Sequence, residues 1–95
     1  MLEIRDSVAV ISGGGSGIGL SLARYWVAQG GNVVLGDISA SALAAAQDEF
    51  GGRAAVVTCD VTQEDDSGKL AETAMGAFGH INLVAPCAGI IKDGL

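Results

Sequence analysis

Four short apolar runs alternate with three stretches of helical periodicity, and this alternation constrains the fold more than anything else in the chain. Ser7 to Ser12 is the first run, with β-branched residues and a glycine boundary on its far side, the pattern of a strand buried on both faces. Asn32 to Gly36, Arg53 to Cys59 and Ile81 to Ala85 are the other three. Between them Ile18, Leu22 and Trp26 recur at four-residue spacing with Ala23 and Val27 beside them, until Gly30 and Gly31 end the pattern. Leu43 and Phe50 mark a second helix, for which Ser39 or Ser41 supplies a cap. Leu70, Ala74 and Phe78, flanked by Ala71 and Met75, mark a third, entered through Thr62 and the carboxylates of the following turn.

Strands alternating with helices at this spacing pair in parallel through right-handed crossovers, which predicts a doubly wound α/β sheet in one domain spanning residues 1–95. Composition agrees: 49% of the residues are apolar, and 15 glycines against one proline suit closely packed helix-on-sheet layers. The alanine cluster from Ala42 to Ala46 is explained by helix propensity. Eleven carboxylates against five scattered bases leave a net charge of −6, read as a solvated surface. No basic stripe exists to neutralise a phosphate backbone, so nucleic acid is excluded as a partner. No apolar run reaches the roughly 20 residues that a membrane span requires.

Cys59 and Cys87 close separate apolar runs without CxxC spacing, and His80, the single histidine, falls in a polar connection where a surface role is the default. This predicts no metal site and a reducing, cytoplasmic location.

The turn after the first strand reads Gly13-Gly14-Gly15-Ser16-Gly17-Ile18-Gly19. A GxGxxG string alone is weak evidence, but here it lies between a strand and a helix. In that place one glycine turns the chain off the strand, another lets backbone N–H groups approach a pyrophosphate, and Gly19 lets the helix pack closely on the sheet. The positive helix end then faces phosphate. Asp37 ends the next strand, where a carboxylate accepts hydrogen bonds from the adenosine ribose hydroxyls and repels a 2′-phosphate. No base occupies the turn or position Ile38 to offset that repulsion, so NAD is expected over NADP. Each element alone also fits a bland reading, a structural turn or an exposed loop carboxylate; their occurrence together at neighbouring strand ends favours a dinucleotide.

The run from Ser12 to Gly19 resembles the TGxxxGIG signature of the short-chain dehydrogenase/reductase family, with serine in place of the usual threonine. Cys59-Asp60-Val61-Thr62 is similar to the family's adenine-contacting Asp-Val pair, and Pro86-Cys87-Ala88-Gly89 to its NNAG segment. The resemblance covers essentially the whole chain and implies a Rossmann-type sheet, present as its N-terminal β-α-β-α-β-α-β portion. It implies that Ser16 and Ile18 contact the pyrophosphate region, Asp60 binds the adenine amino group, Val61 packs on the base, and Cys87, Ala88 and Gly89 line the ribose. Pro86 departs from the pattern, supplying neither a side-chain amide nor a backbone donor. Otherwise Asp60 reads as a loop carboxylate and Cys87 as an inert buried thiol.

The family resemblance implies hydride transfer between NAD and a secondary alcohol or ketone, and the segment from Ala88 to Leu95 is similar to the one that follows NNAG in 3-oxoacyl reductases and 3-hydroxyacyl dehydrogenases, which implies a 3-hydroxyacyl or 3-oxoacyl thioester. The family's catalytic serine, tyrosine and lysine are expected beyond Leu95, so no catalytic residue is assigned and the 95 residues alone are expected to be inactive. Tyr25 and Lys69 fall on different helices and cannot form a Tyr-x-x-x-Lys pair on one helical face. Tyr25 reads as packing or surface. The last strand is expected to have an uncovered edge beside Leu83 and Val84. Homo-oligomerisation of a full-length protein is a further implication of the resemblance. The alternative is a free-standing nucleotide-binding module without catalysis, which intact mass and nucleotide stoichiometry distinguish.

Overall fold

A computed structural model describes residues 4–15, 17–60 and 64–87. The elements follow the order β1 (Val8–Ser12), α1 (Gly17–Ala28), β2 (Asn32–Asp37), α2 (Ala40–Phe50), β3 (Ala54–Thr58), α3 (Glu64–Phe78) and β4 (Leu83–Pro86), with one 3₁₀ turn over Gly51–Arg53. The four strands form one parallel sheet in the order β3-β2-β1-β4. The chain therefore winds outward from β1 through β3 and then crosses back to β4, placing a topological switch point between β1 and β4.

Alternate residues of the central strands supply the two faces, as strand geometry requires. Ala9, Ile11, Val33 and Leu35 pack with Ala23 and Trp26 of α1 and Leu43 and Ala46 of α2. Val8, Val10 and Val34 pack on the other face with Leu70 and Ala74 of α3. A sheet covered on both sides needs continuous apolar strands, which is why β1 and β2 read as unbroken hydrophobic runs.

The helix ends follow from local chemistry. Ser39 caps α2, its hydroxyl accepting the Ala42 N–H at 3.2 Å. Gly30 at φ 91° donates its N–H to Val27 O at 2.9 Å and closes α1. Thr62, expected to cap α3, lies outside the described residues.

Apart from single-residue differences at the ends of β1, β2 and β3, two expectations shift. On α1 the inward stripe is Gly19, Ala23 and Trp26, while Ile18 is 49% exposed, because the helix turns the glycine rather than the isoleucine onto the sheet. β4 begins at Leu83 rather than Ile81 and ends at Pro86. Asn82 anchors its start, Oδ1 accepting the Val8 N–H and its own N–H donating to Val8 O, both at 2.8 Å. Among the described residues β4 lies at an edge of the sheet, where proline's missing N–H costs no ladder bond. Val84, in register with Val10, is 64% exposed on the α3 face of the sheet.

Candidate nucleotide-binding site

The glycine turn leaves β1 directly beside the end of β2. Ser12 is in register with Gly36, and the next two N–H groups, of Gly13 and Gly14, both donate to Gly36 O, at 2.7 and 3.1 Å. This fork bends the turn over the tip of β2. Gly15 then donates its N–H to Asp37 Oδ2 at 3.0 Å, across 22 residues of sequence. The acidic residue and the glycine turn, read separately from the sequence, are thus joined at the carboxyl ends of neighbouring strands. Asp37 Oδ1 accepts the Ser39 N–H at 3.0 Å, so both carboxylate oxygens are oriented by backbone donors. Each oxygen keeps a further lone pair for hydroxyl donors.

Close approach requires glycine at two positions of the turn. A β-carbon on Gly15 would meet Ala42 Cβ at 2.8 Å and Asp37 Oδ2 at 3.0 Å, and one on Gly19 would collide with the carbonyl of Gly13. Gly17 opens α1, and Gly17 and Ile18 are exposed. The first N–H groups of a helix have no intrahelical acceptor, and no acidic side chain occupies this first turn to satisfy them. An anion is the complementary ligand there.

Asp60 follows β3 at the same edge of the sheet, where Thr58 is in register with Asp37 and the Cys59 N–H donates to Asp37 O at 2.9 Å. Cys87 follows β4, whose Pro86 is in register with Ser12. Cys87 is 3% exposed and belongs to the core on the α1 and α2 face. Burial pushes its thiol above the ordinary pKa. Gly13, Gly15, Gly17, Ile18, Gly19, Asp37, Asp60 and Cys87 are all brought to the carboxyl ends of the strands. Ser16, Val61, Ala88 and Gly89 lie outside the described residues.

Residues expected to lie elsewhere do so. Tyr25 is 57% exposed on α1, and Lys69 is on α3, which covers the opposite face of the sheet. His80 is exposed, with Nε2 3.2 Å from Asp6 O. Neither cysteine is in a disulfide. Among the described residues no helix is long and apolar enough to cross a membrane.

One contributor escapes the sequence. Ala42 sits against Gly15, and Ala46 is 3% exposed, so helix propensity is only part of the reason for the alanine cluster: two of its members are small because they face neighbours. A propensity argument treats all these alanines alike. Only the placement of α2 separates them.

Comparison with known proteins agrees with this fold. The family described as short chain dehydrogenase matches residues 7–95. An uncharacterized oxidoreductase of Mycobacterium bovis is 44% identical over 87 residues, covering 90% of this chain and 35% of that protein. The human 3-hydroxyacyl-CoA dehydrogenase type-2 is 38% identical over 88 residues, covering 93% of this chain and 34% of that protein. A short-chain dehydrogenase/reductase from Burkholderia phymatum, solved in complex with NAD, superposes with a TM-score of 0.84 at 36% identity, covering 88% of this chain and 31% of that one. The chain spans about a third of the length of these relatives. With the glycine turn, the sheet order and the match over residues 7–95 in agreement, the chain belongs to the short-chain dehydrogenase/reductase family.

Proposed function

We propose that this chain is the NAD-binding part of a cytoplasmic short-chain oxidoreductase that moves hydride between NAD and a secondary alcohol or ketone. The observation that supports the reading is the hydrogen bond from Gly15 to Asp37, which joins the acidic end of β2 to the glycine turn. The first turn of α1 would hold the pyrophosphate through backbone N–H groups. Asp37 would accept the adenosine ribose hydroxyls, and its charge would oppose a 2′-phosphate. Ile38, 71% exposed, offers no countercharge to relieve that repulsion. Asp60 would bind the adenine amino group, and the Cys87 backbone would border the site. NAD, when bound, supplies the hydride acceptor, and the residues named here bind and orient it. Tyr25 and Lys69 take no part in proton transfer.

Substrates of the 3-hydroxyacyl or 3-oxoacyl thioester class are the proposed reactants, supported by the similarity to the human 3-hydroxyacyl-CoA dehydrogenase. A homo-oligomer is the proposed assembly, by family resemblance. Calorimetric titration of the purified protein with NAD and with NADP tests the cofactor. Tighter binding of NAD is expected, and tighter binding of NADP, or of neither, overturns the reading of Asp37.

A further inference from the structure

The glycine turn is held from α2 as well as from β2. Gly15 donates to Asp37 Oδ2 at 3.0 Å, Asp37 Oδ1 accepts Ser39 N–H at 3.0 Å, and Ser39 Oγ accepts Ala42 N–H at 3.2 Å. The methyl of Ala42 closes the ring by lying against Gly15, where an added β-carbon would meet it at 2.8 Å. Three hydrogen bonds and one van der Waals contact therefore form a closed circuit through four residues.

We infer that Ala42 is a positioning residue for the nucleotide, setting the gap between the glycine turn and Asp37. This rests on the reading of the crevice as an NAD site. Helix propensity would accept leucine, glutamate, glutamine or lysine at this position as readily as the surrounding alanines. Any γ atom added at position 42 must stay clear of the Gly15 backbone, and a β-branched side chain has the least freedom to do so. Where it cannot, the turn would have to move, and Asp37 is fixed on the other side by Ser39 and by β2, so the Gly15 N–H would leave its acceptor. The pyrophosphate-facing and ribose-facing groups would then no longer be held at the separation that one rigid ligand spans. Small misplacements of this kind cost binding and rate out of proportion to their size.

Fluorescence titration with NADH, paired with thermal unfolding in the absence of nucleotide, tests the role. Ala42→Val is the probe, because a β-branched side chain leaves only one of three staggered directions free of a methyl. Ala45→Val is the control: Ala45 is exposed on the same helix and pays the same propensity cost. Ala42→Ser, whose single added oxygen can take the open direction, is the rescue.

The expected result is a loss of NADH affinity of about tenfold or more in Ala42→Val, with Ala45→Val and Ala42→Ser close to wild type. The two valine variants should melt within a few degrees of each other. Equal affinity in Ala42→Val and Ala45→Val, with wild type binding NADH, overturns the role of Ala42 and leaves the cofactor assignment standing. Failure of the wild-type protein to bind NADH overturns both. Should Ala42→Val not fold, Gly15→Ala strains the same contact from the other side, and unchanged NADH affinity there overturns the inference.

Discussion

Gly19, in the first turn of α1, presses its α-carbon against the carbonyl of Gly13 at the end of β1, leaving no room for a methyl group between them. The helix can start this close to the strand only because position 19 carries no side chain. Two effects compete in Gly19→Ala. Helix propensity favours alanine over glycine by about 1 kcal/mol. Overpacking against a backbone carbonyl, which cannot rotate aside as a flexible side chain can, costs roughly 1–3 kcal/mol. The collision prevails, so the urea midpoint should fall with an unchanged m-value, and NADH affinity should fall with it. A rise in midpoint would show that α1 starts further from β1 than described.

Arg24 of α1 and Glu49 of α2 make a two-point ion pair, Nε to Oε2 at 2.8 Å and a second guanidinium nitrogen to Oε1 at 3.1 Å. The hydrogen bond from Arg24 holds the Glu49 carboxyl below the ordinary glutamate range. A carboxyl lowered on folding contributes stability that is present above its unfolded pKa, near 4.3, and is lost as pH falls through the folded value. Both side chains are about half exposed, so the contribution is small and screened by salt. Glu49→Gln should lower the melting temperature by at most a few degrees at neutral pH and low salt. The difference should disappear in acid below the glutamate range and shrink in high salt.

Cys59 and Cys87 are 5% and 3% exposed, on opposite faces of the sheet. With burial raising the Cys87 pKa, its thiolate fraction at neutral pH falls below that of an ordinary thiol. Native protein should therefore resist a thiol-specific chromophoric reagent, and denaturant should release two reactive thiols. Rapid reaction of one thiol in native protein would show that the wall near Cys87 opens.

The strand-helix alternation was legible because both sheet faces are covered. Covered faces demand unbroken apolar strands and one apolar stripe per helix, and both are one-dimensional patterns. Leu70 and Ala74 are buried on α3 as their spacing predicts. The inward face of α1 was harder to read. Gly19 carries no hydrophobic signal, yet close packing of the turn puts it against β1 and leaves its larger neighbour Ile18 half exposed.

In the site, Gly15 and Asp37 could each be singled out by residue type and position, whereas their hydrogen bond depends on the Ser12–Gly36 register. Ala42 left no local trace, since an alanine chosen for size looks like one chosen for propensity. Only the docking of α2 beside the glycine turn tells them apart.

A crystal structure of the protein with NADH is the most direct test of where the dinucleotide lies. The adenosine ribose hydroxyls should donate to the Asp37 carboxylate while the pyrophosphate meets the backbone of Gly17 to Gly19. Nucleotide bound elsewhere, or that crevice filled by side chains at saturating NADH, would contradict the assignment.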